Sequence, residues 1–224
     1  MITVHHLNNS RSQRILWMLE ELDVPYEIKR YQRDAKTMLA PPGLRAVHPL
    51  GKSPVITDGD RTVAESGAIL EYLVERYGNG SLKPVPGSAE HDRYRYWLHY
   101  AEGSLMPYLV MQLVLSQVPK HVPMLIRPVA RAIVGGVDRG FLAPNLKAHF
   151  TYLESEAGRH PWFAGSELSA ADIQMSFPIE AAEARARRYG FGPNLADFLA
   201  RVRARPAYQR ALEKGGPFSL TGAN

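Results

Sequence analysis

The chain of 224 residues can form one large or two small domains around a sizeable core, and its 45% hydrophobic and 22% charged residues are ordinary for a globular protein. No apolar run reaches the roughly 18 residues of a membrane-spanning helix, and there is no cysteine, which excludes disulfides, thiolate metal sites and any protein-borne nucleophilic sulfur. The net charge of +5 lies entirely beyond residue 82, largely in "EARARRYG" and "RVRARPAYQR", which reads as a solvated helical face in the absence of any finger, zipper or aromatic RNA-binding signature.

The N-terminal "MITVHHLNNSRSQR" lacks the basic start and apolar stretch of a secretory signal, so cytoplasmic residence is expected. "ITVHHL" predicts a first strand with Ile2, Val4 and His6 on one face. His5 and His6 then point to opposite faces, which argues against a joint metal site. Ile15, Met18, Leu19 and Leu22 follow the i, i+3, i+4, i+7 spacing of an amphipathic helix, and "PYEIKRY" resumes strand alternation. A Pro-Pro-Gly stretch at 41–43 breaks the pattern. "PVIT", the turn Asp58-Gly59-Asp60 and "TVA" predict a hairpin, and Ile69, Leu70, Leu73 and Tyr77 stripe a helix ending near Gly78. The order is β-α-β, an irregular link, then β-β-α.

"YGNGSLKPVPGS" has no period and reads as a linker, after which every segment is helical. The expected division is residues 1–80, a linker at 81–88, and an all-helical domain at 89–224. Within it, a long aromatic helix runs from Glu90 to about Gln117. Another covers roughly Val129 to Glu156, interrupted at "GG" and "LAPN". A third, "SAADIQMSFPIEAAEARARRY", is kinked by Pro178, and one or two more follow.

Three motifs carry chemistry. Ser53-Pro54 stands at the mouth of a strand, where a residue without an N–H is confined to starts, edges or bulges and where a cis bond is cheap. Such a bond would turn the main chain of Val55 outward to pair with an extended peptide. Glu65-Ser66 opens a helix. Ser66 either caps that helix or, with its free N–H groups, receives a carboxylate, while Glu65 suits an ammonium group. Ser10, in "LNNSRSQRILW", either caps the first helix, with Ser12 as rival, or donates to an anion held over the sheet. A serine nucleophile would want a Gly-x-Ser-x-Gly turn, which is absent there.

In combination these features resemble the cytosolic glutathione transferase family over nearly the whole chain. "VHPLGKSPVITDGDRTVAESGAILEYL" is similar to the family's glutathione-binding stretch, and "FAGSELSAADI" resembles its C-terminal capping motif, with Ser169 and Asp172 as a capping box. The resemblance implies a thioredoxin-like N-terminal α+β domain with a cis-proline, a helical-bundle C-terminal domain, and a homodimer. It implies Ser10 as the residue that activates the thiol, as in the serine-type bacterial and fungal classes. Pro54 would be the cis-proline, Val55 the main-chain partner of the glutathione cysteine, and Glu65 and Ser66 the holders of the γ-glutamyl end. Lys52 would reach the glycyl carboxylate, with His48 a weaker candidate for the same end. No tyrosine stands near the end of the first strand, and the lack of cysteine rules out chemistry through a protein–glutathione mixed disulfide.

The resemblance thus predicts a transferase that uses glutathione as co-substrate and needs no metal. The electrophile is expected in an apolar cleft between the domains, drawn from Tyr94, Trp97, Tyr100, Met106, Tyr108 and Met111, with Tyr108 and Met111 foremost. "SQVPKHVPMLIRPVARAIVGG" is expected to form a lid or an extended wall of that cleft. Peroxide reduction on the same fold and a non-catalytic glutathione-binding role are the alternatives. No nucleic-acid or membrane partner is expected.

Overall fold

The computed structural model describes residues 1–34, 37, 39–216, 218 and 220. Strand β1 (Ile2–Leu7), helix α1 (Ser12–Glu21) and strand β2 (Tyr26–Tyr31) form the predicted β-α-β unit, followed by the short helix α2 (Pro42–Arg45). Strands β3 (Val55–Asp58) and β4 (Arg61–Ala64) and helix α3 (Ser66–Tyr77) complete the first half. The sheet order is β2-β1-β3-β4, with β1 parallel to β2 and the other neighbours antiparallel. The Pro-Pro-Gly stretch starts α2 as well as breaking the earlier pattern, because Pro42 stands at a first-turn position whose N–H would have no partner.

The second half contains α4 (Ala89–Tyr100), α5 (Met106–Gln117), α6 (Arg127–Val137), α7 (Ala143–Ala157), α8 (Ala170–Arg185), α9 (Pro193–Arg203) and α10 (Pro206–Gly215). A wide π-turn at Ala101–Leu105 joins α4 to α5, and another at Asp138–Leu142 joins α6 to α7. Each ends two residues before a proline, Pro107 or Pro144. A proline lacks the N–H that would bond four residues back and crowds that carbonyl, so a wider turn before it lets the helix continue. The predicted break at Gly135-Gly136 is therefore absent; both glycines lie inside α6.

Helix α8 is the axis of the bundle, with every residue from Ala170 to Ala182 buried. Its start is fixed by the predicted capping box. The Asp172 carboxylate accepts the Ser169 N–H at 2.9 Å, the Ser169 hydroxyl at 2.8 Å and the Phe163 N–H at 2.6 Å. One hydrophobic core spans both halves, from Ile2, Leu16 and Ile69 to Trp97, Phe150, Ile173 and Phe198. The segment between α3 and α4 is pinned to that core by Leu82, whose carbonyl accepts the Ala170 N–H at 2.9 Å.

Most arginines of the basic C-terminal stretches are paired with carboxylates. Arg187 and Arg203 meet Glu183, Arg188 meets Asp138, Arg205 meets Glu21 and Arg210 meets Glu20. Their charge is spent on neighbouring helices, as a solvated helical face requires.

Candidate active site

Strand β3 lies between β1 and β4 and begins directly after Pro54. The β3–β4 register closes on Asp58↔Arg61 through a two-residue loop in which Gly59 takes φ +57°. The closing pair of such a hairpin exchanges both hydrogen bonds, and pairs alternate from there, so Val55↔Ala64 is a non-hydrogen-bonded pair. The N–H and C=O of Val55 therefore point toward β1. On that side the register ends one residue earlier, at Val4↔Ile56, and the carbonyl of His5 is taken by the Ser53 hydroxyl at 3.1 Å. The Ser53–Pro54 bond is cis. The Ser53–Pro54–Val55 segment thus forms the edge of the site that faces the turn between β1 and α1.

Ser10 sits beside this edge, in the turn between β1 and α1, and is buried at 4% exposure. Its Oγ lies 2.7 Å from Ser12 Oγ and 3.3 Å from Ser53 Oγ, and it accepts the Ser12 N–H at 3.3 Å. Ser12 Oγ in turn lies 2.8 Å from Nδ1 of His6. Burial, aided by Arg30, lowers His6 to about 4, so the ring is neutral at pH 7. The sequence offered Ser10 and Ser12 as rivals; the structure joins them in one hydroxyl chain from His6 to Ser53.

Glu65 precedes α3 with φ +73°, a left-handed conformation that costs a non-glycine residue of order 1–3 kcal/mol. Its side chain is exposed. The capping role read for Ser66 is not what the structure shows: Ser66 is the first helical residue and Glu65 occupies the cap position without a side-chain bond. Instead, Ser66 Oγ accepts from Arg14 at 2.9 Å, which leaves its own O–H free to donate. Arg14 is 2% exposed, bonds Glu102 and donates to the Gln174 carbonyl at 2.6 Å. That carbonyl is the one Pro178, four residues on, cannot bond. Burial lowers the Arg14 pKa to about 10, opposed by Glu102, so the guanidinium stays charged at neutral pH. Burial also pushes Glu102 upward, but Arg14 and Arg11 outweigh it and hold its carboxyl below the usual range. Glu102 was not singled out in the sequence; its one signal was a carboxylate inside an aromatic and apolar helix.

Lys52 is exposed on the loop before β3, and His48 is half-buried in the preceding turn with its Nδ1 buried and lacking a protein partner. Tyr108 and Met111 do share a cavity, of about 500 Å³, with Gly103, Ser104, Pro107, Phe141 and His149. All of its lining comes from the helical half. Tyr94, Trp97, Tyr100 and Met106 are buried in the core instead. The segment from Ser116 to Gly136 contributes nothing to this cavity.

A four-stranded sheet with a cis-proline edge, fused to a helical bundle with a buried, capped axial helix, defines the class of glutathione-binding transferase folds. The glutathione S-transferase N-terminal domain profile matches residues 1–75. Glutathione S-transferase 3 of Schizosaccharomyces pombe is 40% identical over 222 residues, covering 99% of this chain and 90% of that protein. A glutathione S-transferase crystal structure from Actinobacillus pleuropneumoniae superposes with a TM-score of 0.80 at 32% identity, covering 100% of this chain and 97% of that one. A sphingomonad glutathione S-transferase complexed with glutathione shares the fold, at a TM-score of 0.67 and 22% identity over 96% of this chain and 98% of that one. The chain belongs to the glutathione S-transferase family.

Proposed function

We propose that this protein is a glutathione transferase that binds the tripeptide along β3, ionises its thiol beside Ser10 and presents the thiolate to a hydrophobic electrophile. The observation that supports this most is the cis Ser53–Pro54 bond at the mouth of β3, with the buried Ser10 beside it, its Oγ 3.3 Å from Ser53 Oγ. In this reading the cysteinyl main chain of glutathione bonds the Val55 N–H and C=O. The γ-glutamyl carboxylate meets the Ser66 O–H and the free N–H groups at the start of α3, in the field of buried Arg14, while Glu65 takes the ammonium group. Lys52 and the unpartnered His48 nitrogen serve the glycyl end.

A free thiol titrates near 8.5, so lowering it by about two units needs roughly 2.7 kcal/mol of preference for the anion. A hydroxyl hydrogen bond to the thiolate and the positive end of α1 are together of that size. Ser10 can supply the bond at small cost. The Ser53 hydrogen is committed to the His5 carbonyl, and Ser12 retains His6 as partner. Only one hydrogen bond is broken when the Ser10 hydrogen swings to sulfur. Ser10 acts as a donor to the anion and forms no covalent intermediate.

The electrophile is assigned to the Tyr108 and Met111 cavity, and the active unit to a homodimer, for which the exposed aromatic face of α4 and α7 (Tyr96 and Tyr152) offers a surface. The division into a glutathione-binding unit at 1–80 and a helical unit at 89–224, joined by a linker, and cytoplasmic residence belong to the same reading. Among the described residues no helix is long and apolar enough to cross a membrane.

Retention on immobilised glutathione, elution by the free tripeptide and turnover of a halonitrobenzene test the proposal. Retention without turnover of that compound or of a hydroperoxide would reduce it to a binding role; a chain that flows through would overturn it.

A further inference from the structure

From Val110 through Phe141 no residue is buried. The far end of α5, the turns at Val118–Lys120 and Met124–Ile126, and all of α6 thus form an arm that projects from the bundle. The arm is strongly apolar. At its tip Met124 is 74% and Leu125 91% exposed, and Ile126, Val129, Ile133 and Val137 continue one stripe down α6. Val110, Val114 and Val118 form a second exposed stripe, on α5. Pro119, Pro123 and Pro128 stiffen the chain around the tip, so the Met-Leu-Ile triplet is held outward. Single exposed apolar residues are ordinary, but a contiguous apolar surface of this extent marks an interaction site.

Charge decides what the arm meets. No Asp or Glu occurs from Gly103 to Val137, whereas Lys120, Arg127 and Arg131 all do. Lys120 and Arg131 are exposed, and Arg127 and Arg131, four residues apart, flank the apolar stripe of α6. A second copy docking through the same arm would set these cations against their own kind. A protruding apolar tip ringed by basic residues instead has the composition of a segment that lies in the interface of an anionic bilayer.

We propose that the 110–141 arm is a peripheral membrane-docking element that inserts Met124, Leu125 and Ile126 among the headgroups of an anionic lipid surface. The expectation of no membrane partner rests on the absence of a spanning run; an arm lying on a surface needs none. The proposal uses residues separate from Ser10, Val55 and Ser66 and stands or falls apart from the glutathione reading.

Co-sedimentation with lipid vesicles tests it. Wild-type protein is expected to partition onto phosphatidylcholine vesicles containing about 30% phosphatidylglycerol, and onto pure phosphatidylcholine at least about tenfold more weakly, with binding falling as salt is raised. Leu125→Asp is expected to weaken partitioning at least about tenfold through loss of apolar insertion. The Lys120→Glu/Arg131→Glu double variant should weaken it by at least about thirtyfold. Both variants should keep wild-type turnover of a soluble electrophile. Absence of partitioning, equal binding to neutral vesicles, or binding indifferent to Leu125→Asp would overturn the proposal. So would a wild-type oligomer that dissociates on Leu125→Asp, because the stripe would then be covered by a second copy.

Discussion

The guanidinium of Arg14 donates to Ser66 Oγ at 2.9 Å, tying the first helix of the sheet domain to the start of α3. The same group reaches Glu102 and the Gln174 carbonyl, so one buried cation links α1, α3, α8 and the turn between α4 and α5. Removing it leaves the partly buried Glu102 with Arg11 as its remaining partner and unpairs the Gln174 carbonyl. Arg14→Ala is expected to lower stability by about 3–5 kcal/mol in urea unfolding. Arg14→Lys should recover little of that, because an ammonium cannot reach three acceptors held in a planar fork. Full rescue by lysine would show that charge alone matters there.

Ser10→Ala should leave glutathione affinity within a few-fold and raise the apparent pKa of the bound thiol, with turnover at pH 6.5 falling most. Ser12→Ala, which cuts the link to His6, is expected to lower turnover less, since Ser10 keeps its own hydroxyl. Calorimetry and a pH–rate profile read the two effects separately. Undiminished turnover in Ser10→Ala would return Ser10 to the role of a turn residue.

Asp172 holds three donors at the start of the buried α8. Asp172→Ala leaves the Phe163 and Ser169 N–H groups unsatisfied in the core, a loss of about 2–4 kcal/mol. Asp172→Asn should lose less, as one amide oxygen remains. Denaturant midpoints of the two variants check the order.

Glu180 is buried beneath α10, where burial raises its carboxyl to about 7 against the hydrogen bond from Tyr208. The folded state therefore holds this proton where the unfolded state, near 4.5, has lost it. Its contribution to stability is full below about 4.5 and is lost as pH rises through about 7. Glu180→Gln keeps the acceptor for Tyr208 and removes the titration. Relative to wild type, the variant should gain up to roughly 3 kcal/mol between pH 4.5 and pH 8. Chemical denaturation at several pH values measures the difference, to which other titrating groups contribute equally in both proteins.

The element order and the hairpin were legible because period-2 and period-3.6 patterns are local and Asp58-Gly59-Asp60 marks its own turn. Pro54 was legible as a proline at the mouth of a strand, and its bond is cis; the roles given to Val55, Glu65 and Ser66 came from the family resemblance. What each side chain does was less so. Ser66 looks like a cap in sequence, yet Arg14, 52 residues earlier, claims its oxygen. The shared work of Pro178 and Arg14 needs a carbonyl that only the packed helices bring to the guanidinium. The stretch 116–136 reads as a wall or lid because its prolines and apolar residues suit either, and only packing reveals that none of its residues is fully buried.

The most direct test of the account is the thiolate absorbance of glutathione bound to the folded protein, followed across pH. An apparent thiol pKa about two units below the free value of roughly 8.5, returning toward that value in Ser10→Ala, is the predicted result. Failure to take up glutathione at millimolar concentration, or uptake with the thiol still titrating near its free value, would contradict it.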